Sequence, residues 1–163
     1  MWPDSSWCRW GLNEAESRLY ACFASRRWSH EVAAGWPYAD LPALLDASQR
    51  AWADLAPSDW AEALQGHPRI GEGGGSAPVA SEREQQAVRG SSADVLERLA
   101  QENRRYEARF GHIFLISAAG KSADEILAAL RERMANDPEA EARVAAAEHR
   151  KIARMRLEAL ASG

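Results

Sequence analysis

The sequence is poor in the residue types that mark metal, disulfide and membrane proteins. Its 163 residues include two cysteines and four histidines. Cys8 and Cys22 do not have C-x-x-C spacing, and no histidine stands four residues from another, so we expect neither a disulfide framework nor a metal site. No run approaches the ~20 apolar residues that span a bilayer, so we expect no membrane association.

An excess of charge of one sign is also missing. The 20 basic and 24 acidic residues give a net charge of -4, and the two signs alternate along the chain. Nucleic-acid binding requires a basic patch, so we expect no nucleic-acid partner. The N-terminal stretch Met1-Trp2-Pro3-Asp4 lacks a signal-peptide pattern, and Ala161-Ser162-Gly163 is not a peroxisomal address. These features predict a cytoplasmic protein.

Apolar residues recur at helical spacing over most of the chain, which predicts an all-α fold of about seven to nine helices. The length suits one domain over residues 1–163, with 1–11 as a loose N-terminal segment. The seven tryptophans are expected to fill the core. The predicted helices lie at about 12–24 after an Asn13 cap, 26–33, 41–55 after an Asp40 cap, 57–67, from Ser81, from Ser92 or Asp94 to 109, 122–134, and from Pro138 onward.

The most informative polar residues flank a glycine-rich loop. His67 precedes Pro68, so it should stand at the carboxyl end of a helix, where the helix dipole favours imidazolium. A helix capped by Ser81 would place Ser81, Glu84 and Gln85 on one face. Ser followed three residues later by Glu is also a capping box that needs no function. The spacing alone therefore leaves both catalysis and capping open.

Two further polar residues fall within apolar helical stripes. Asn103 either ties the core together or touches a polar ligand. Arg156 shares one arc of the last helix with His149, and its guanidinium needs an anionic or carbonyl partner, either an internal carboxylate or a substrate.

One stretch, Gly111 to Ser117, is apolar and predicted to be extended, with no partner strand elsewhere in the sequence. Its backbone groups must bond elsewhere, and a polar ligand is one candidate. His112 is expected to be a hydrogen-bonded core or rim histidine.

In their order and spacing these residues resemble the OHCU decarboxylases, which act on 2-oxo-4-hydroxy-4-carboxy-5-ureidoimidazoline (OHCU) in urate degradation. The resemblance extends from about Leu12 to Leu160. It rests on Cys22-Phe23-Ala24-Ser25-Arg26-Arg27-Trp28, His67-Pro68-Arg69-Ile70-Gly71, Ser81-x-x-Glu84-Gln85, Asn103-x-x-Tyr106-x-x-Arg109-Phe110-Gly111, and Lys151-Ile152 followed by Arg156-Leu157.

The resemblance implies an all-helical homodimer that converts OHCU to (S)-allantoin and carbon dioxide, the third step of urate catabolism, without metal or organic cofactor. It implies His67 as general acid/base and Glu84 as the residue that orients it. The implied substrate-binding residues are Pro68, Ser81, Gln85, Phe110, Ile113, Phe114, Leu115, Ile116 and Arg156. Arg69 receives no role.

Two alternatives remain open at this level. One is a ureide hydrolase or cyclase in which His67 and Glu84 activate water. The other is a non-catalytic helical interaction module in which the serine motifs are only caps and Arg156 is only ion-paired. Release of carbon dioxide distinguishes a decarboxylase from both.

Overall fold

The structure, a computed structural model, describes residues 9–67, 70 and 90–162. Across these residues the regular structure is helical and no strand occurs, which confirms the all-α prediction. The seven helices described are α1 (Leu12–Cys22), α2 (Arg26–Ala33), α3 (Leu41–Ala53), α4 (Pro57–Gln65), α5 (Ala93–Phe110), α6 (Ala123–Arg133) and α7 (Pro138–Ser162). The helix predicted to begin at Ser81, and residues 1–8 of the predicted loose N-terminal segment, lie outside the described residues.

The helix starts follow local cap chemistry. Asp40 accepts a 2.8 Å hydrogen bond from the Ala43 amide and caps α3 as predicted. Ser92 caps α5. The Ser122 capping box also forms, because Ser122 accepts from the Glu125 amide while the Glu125 carboxylate accepts from the Ser122 amide.

Two boundary predictions were wrong. Asn13 does not cap α1, since Gly11 is the N-cap and Asn13 already lies inside the helix. That helix also ends at Cys22, because Phe23 has extended backbone angles. Ser25 then starts α2 as a separate helix, and its hydroxyl accepts from the Trp28 amide.

The described chain forms two compact units, each with its own core. The first comprises 9–66 and 153–162. Its centre is aromatic: Trp28 is fully buried and stacks on Trp52 with ring centroids 5.9 Å apart, and Phe23 meets both rings edge-on. The prediction that tryptophans fill the core is confirmed for Trp28 and Trp52, whereas Trp10, Trp36 and Trp60 are partly buried against it, and Trp2 and Trp7 lie outside the described residues.

The second unit comprises the described residues between 67 and 152. Its core combines one face of α5 with α6 and with the buried side chains of Phe114 and Ile116. Gly111 ends α5 with φ +76°, a left-handed conformation that glycine adopts without strain. The stretch after it has no strand pairing, in agreement with the sequence.

The helix α7 is continuous across the boundary between the two units, which lies between Ile152 and Ala153. A single domain over 1–163 stays a prediction. None of the described helices has the length and apolar character needed to cross a membrane.

Candidate active site

His67 lies two residues beyond the end of a helix, close to the carboxyl end at which the sequence predicts it, although the helix ends earlier than predicted. The helix α4 ends at Gln65, and Gly66 is its C-cap. His67 follows as a half-buried residue. An imidazole in this position has access both to protein partners and to a small molecule.

The imidazole of His67 contacts a second imidazole. Its Nε2 atom lies 2.7 Å from Nε2 of His149, and the two rings meet at 76° with centroids 4.5 Å apart. His149 belongs to α7 and is only 1% exposed. Sequence reasoning placed His149 in the apolar arc of the last helix without giving it a role. The position of a histidine among the apolar residues of this arc was the one sequence signal that could have pointed to a role for His149.

Arg156 is buried, as its position in the apolar stripe indicates. It is 7% exposed, and its Nη1 donates a long hydrogen bond of 3.4 Å to the Cys22 carbonyl of α1. This contact gives the guanidinium a carbonyl partner, and its predicted pairing with a carboxylate or a substrate stays a prediction.

The stretch after α5 is anchored by side chains from two helices. Arg133 of α6 donates a 2.7 Å hydrogen bond to the Leu115 carbonyl, and Glu148 of α7 accepts a 2.7 Å hydrogen bond from the Ser117 amide. Phe114, Leu115 and Ile116 are buried and Ile113 is half-buried. The backbone of this stretch is therefore held in one conformation before any ligand arrives.

Two other residues of this region have defined positions. Phe110 is the last residue of α5, so its amide is directed along the helix toward the carbonyl four residues earlier. His112 is half-buried, with Nδ1 3.0 Å from the Ile113 carbonyl oxygen, as expected of a rim histidine.

Behind this stretch lies a buried ionic network that sequence reasoning missed. Glu141 is fully buried, and its carboxylate accepts hydrogen bonds from the Tyr106 hydroxyl, from Arg133 Nε at 2.8 Å and from Asn136 Nδ2 at 3.0 Å. Burial opposes ionisation of Glu141, but the bonds from Arg133, Tyr106 and Asn136 outweigh it and hold its pKa below the ordinary value. Burial, and then the bond to Glu141, raise the pKa of Tyr106.

Asn103 connects the core to the residues after His67. Its Nδ2 donates a 3.2 Å hydrogen bond to the carbonyl of Ile70, three residues beyond His67. The residue is 3% exposed, and its Oδ1 has no hydrogen-bond partner within the described ranges. The bond favours the first of the two predicted roles, tying the core together.

The family of this chain follows from comparison with known proteins. A family model described as OHCU decarboxylase matches residues 9–158. The chain belongs to the OHCU decarboxylase family. The match includes the described residues His67, Asn103, Tyr106 and Arg156, which carry the resemblance seen in the sequence.

A curated relative involved by name in uric acid degradation agrees with this assignment. The uric acid degradation bifunctional protein TTL of Arabidopsis thaliana is 31% identical over 153 residues, which are 90% of this chain and 47% of that protein. The chain therefore spans about half the length of this curated relative.

Two solved structures are also similar. A crystal structure of OHCU decarboxylase in the presence of (S)-allantoin has a TM-score of 0.78 and 30% identity, covering 89% of this chain and 97% of the other. A crystal structure of (S)-allantoin synthase has a TM-score of 0.71 at 22% identity, covering 94% and 52%, and shows the fold alone.

Several residues that the OHCU decarboxylase resemblance singles out cannot be placed. Pro68, Ser81, Glu84 and Gln85 lie outside the described residues, as does Arg69. Their predicted roles stay predictions. Of the residues predicted for the site, the second unit contains His67, Phe110 and 113–116, and the first unit contains Arg156.

Proposed function

We propose that this chain is a carboxy-lyase that converts OHCU to (S)-allantoin and carbon dioxide. The observation that carries the proposal is the OHCU decarboxylase family match over residues 9–158. The curated relative is named for uric acid degradation, and one of the similar solved structures is named as an OHCU decarboxylase in the presence of (S)-allantoin. No organic or metal cofactor has a part in the proposed reaction.

The chemistry can be written from the substrate. The C4–carboxylate bond breaks, and its electron pair moves into the adjacent ring C=N bond, which gives an enol between C4 and C5. The ring nitrogen takes up a proton, C5 takes up a proton, and the C4 hydroxyl loses one to become a carbonyl. The net uptake is one proton, and C5, which bears the ureido group, becomes the stereocentre.

Two described side chains suit these steps. The guanidinium of Arg156 is permanently charged and buried, so it would stabilise the negative charge that spreads into the ring. The imidazole of His67 would protonate one face of C5, which explains formation of a single enantiomer.

The remaining roles follow the family resemblance. Glu84 would hold the His67 ring without approaching the substrate carboxylate, because like charges repel. Pro68, Ser81 and Gln85 would bind the ureido group and ring heteroatoms. The stretch from Phe110 to Ile116, chiefly its part after Gly111, would offer backbone groups to the ring oxygens. Its anchoring by Arg133 supports this role, since a fixed backbone orders no further on binding.

The test is to generate OHCU in place from urate with uricase and hydroxyisourate hydrolase, and to measure carbon dioxide release. Addition of the chain is expected to accelerate release well above the spontaneous rate. His67→Ala should lower the rate by about 10²- to 10⁴-fold, the usual contribution of a general acid. His30→Ala, which changes an exposed histidine of α2, should have no effect.

Two outcomes would contradict the proposal. Consumption of the ureide without carbon dioxide would indicate the hydrolase or cyclase alternative. Release of carbon dioxide at no more than the spontaneous rate, with the chain folded, would indicate the interaction module.

We also propose that the chain acts as a cytoplasmic homodimer, as the family resemblance implies. Light scattering coupled to size-exclusion chromatography tests the stoichiometry. A mass of about 36 kDa, twice the 18.0 kDa of one chain, is expected. A monomer at micromolar concentration would contradict it.

A further inference from the structure

Side chains from two helices hold two consecutive peptide groups in the stretch that follows α5. Arg133 of α6 donates a 2.7 Å hydrogen bond to the Leu115 carbonyl. Glu148 of α7 accepts a 2.7 Å hydrogen bond from the Ser117 amide. Ile116 lies between these two contacts, so its backbone is held on both sides.

The planarity of the peptide group makes both contacts act on Ile116 itself. The peptide bonds on both sides of Ile116 are trans, so the carbonyl and the amide of each group point in opposite directions. The Leu115 carbonyl shares its plane with the Ile116 amide, which is therefore directed away from Arg133. The Ser117 amide shares its plane with the Ile116 carbonyl, which is therefore directed away from Glu148.

The carboxylate of Glu148 is itself held by a second contact. Its Oε1 atom lies 2.7 Å from Nζ of Lys151, while its Oε2 atom accepts from the Ser117 amide. The Glu148 side chain is 14% exposed and that of Lys151 is 63% exposed. Lys151 belongs to the Lys151-Ile152 motif of the family resemblance but has no part in the proposed function. Its contact with Glu148 gives this motif a physical role.

The same turn of α7 also contacts the proposed proton donor. His149 follows Glu148 directly, and its Nε2 atom lies 2.7 Å from Nε2 of His67. All of these residues belong to the second unit. Neighbouring residues of one helix therefore contact both His67 and the stretch that is expected to bind substrate, and loss of the Glu148 contact would let this stretch shift relative to His67.

We propose that Glu148 is a positioning residue for the reaction: through the Ser117 amide it fixes the Ile116 backbone in the orientation that binds the ureide. A ureide carries both N–H donors and carbonyl acceptors, so the carbonyl and the amide of one residue can bind it together. Glu148 itself does not contact the substrate. The proposal rests on the proposed function, in which the stretch from Phe110 to Ile116 binds substrate.

The kinetic test separates the reach of the Glu148 side chain from its charge. Glu148→Gln keeps an acceptor oxygen at the same distance from the helix, whereas Glu148→Asp keeps the charge but is one methylene too short for the Ser117 amide. With OHCU generated in place, Glu148→Asp should raise KM about 3- to 10-fold, the size of one net hydrogen bond. Its kcat should change less than about twofold, because the ring oxygens are bound in both the ground state and the transition state.

Two further variants complete the comparison. Glu148→Gln should keep KM within about twofold of the wild-type value, since the contact with the Ser117 amide remains. The control is Glu139→Gln, which changes an exposed carboxylate of the same helix that pairs with Arg143. This control should leave both KM and kcat unchanged.

The contact can also be measured without substrate, by hydrogen exchange of the Ser117 amide in NMR spectra. Exchange should be slow in the wild-type protein, faster in Glu148→Asp and close to wild type in Glu148→Gln, because exchange requires the hydrogen bond to open. Fast exchange of this amide in the wild-type protein would overturn the proposal.

Other roles of Glu148 predict different kinetic results. A role limited to stability predicts an unchanged KM in every folded variant, and a role through charge alone predicts that Glu148→Gln is impaired more than Glu148→Asp; either result would overturn the proposal. If thermal melts show that Glu148→Asp does not fold, Lys151→Met replaces it. This substitution at an exposed position releases Glu148 and should also raise KM, and an unchanged KM would overturn the proposal.

The two proposals fail in different ways. Absence of carbon dioxide release by the wild-type protein would refute the proposed function, while hydrogen exchange still shows whether Glu148 holds Ser117. Normal release of carbon dioxide, with KM unaffected by Glu148→Asp, would refute only the positioning role of Glu148.

Discussion

Replacement of Arg133 by methionine should cost the second unit a large part of its stability. The substitution removes two hydrogen bonds to the buried Glu141 carboxylate, from Nε at 2.8 Å and from Nη2, and a third to the Leu115 carbonyl. Among the described residues, Glu141 then keeps the bonds from Tyr106 and Asn136 alone. Since one member of a buried ion pair is left without its partner, we expect the free energy of unfolding to fall by about 3–5 kcal/mol at pH 7.

The loss should depend on pH with a defined sign. In the wild-type protein the folded-state pKa of Glu141 lies below its ordinary value of 4.5, so its contribution to stability is present above that pH and is lost as the pH falls through the lowered pKa. Without Arg133, burial dominates and raises the folded-state pKa, so the variant loses stability as the pH rises from 4.5. The difference between the two proteins should therefore grow from acid to neutral pH.

Urea denaturation at several pH values measures this difference, and the helix that contains Glu141 provides the control. Arg143 of α7 forms an exposed pair with Glu139 at 2.8 Å. Its replacement by methionine should cost less than about 0.5 kcal/mol. Combining Arg133→Met with Glu141→Leu should recover part of the loss, because no buried charge remains. Equal losses for Arg133→Met and Arg143→Met, or a loss that does not change with pH, would refute the reasoning.

Three other substitutions test the packing by urea denaturation. Tyr106→Phe removes one donor to buried Glu141 and should cost about 1–3 kcal/mol; no loss would contradict the hydrogen bond. Gly111→Ala should cost about 1–2 kcal/mol, because φ is +76° although no atom lies within 4 Å of the added carbon; a neutral effect would argue against the left-handed backbone. Trp52→Ala should cost about 3–5 kcal/mol by opening a cavity beside Trp28, and a loss below 1 kcal/mol would contradict the aromatic core.

Features that depend on residues close together in the sequence could be predicted from it. Asp40 and Ser122 cap their helices because the partner amide lies three residues away in each case. The position of His67 follows in the same way from the proline after it. Asn13 misled the prediction because Gly11, with no side-chain cap, starts the helix two residues earlier.

Features that depend on packing between helices could not be predicted. The contact of His67 with His149 joins residues 82 apart, and that of Tyr106 with Glu141 joins residues 35 apart. Periodicity indicates that a residue faces the core, but not which residue it meets there. Glu141 was given no role from the sequence, although the structure makes it the centre of the buried network.

For the candidate site, the family resemblance suggested residue roles that helical periodicity alone could not suggest. Arg156 was equally compatible with an internal partner and with a substrate when judged from the helical stripe alone. The order of the motifs from Cys22 to Leu157 pointed to one reaction, and the family match over residues 9–158 confirms the family. The roles of Ser81, Glu84 and Gln85 stay predictions.

The handedness of the product tests the central claim most directly. With OHCU generated in place, circular dichroism should show rapid formation of (S)-allantoin in the presence of the wild-type chain, against a slow racemic background without it. The His67→Ala variant should return both the rate and the enantiomeric excess toward that background. Racemic allantoin from the wild-type chain, or an unchanged excess of the S form from His67→Ala, would contradict the account.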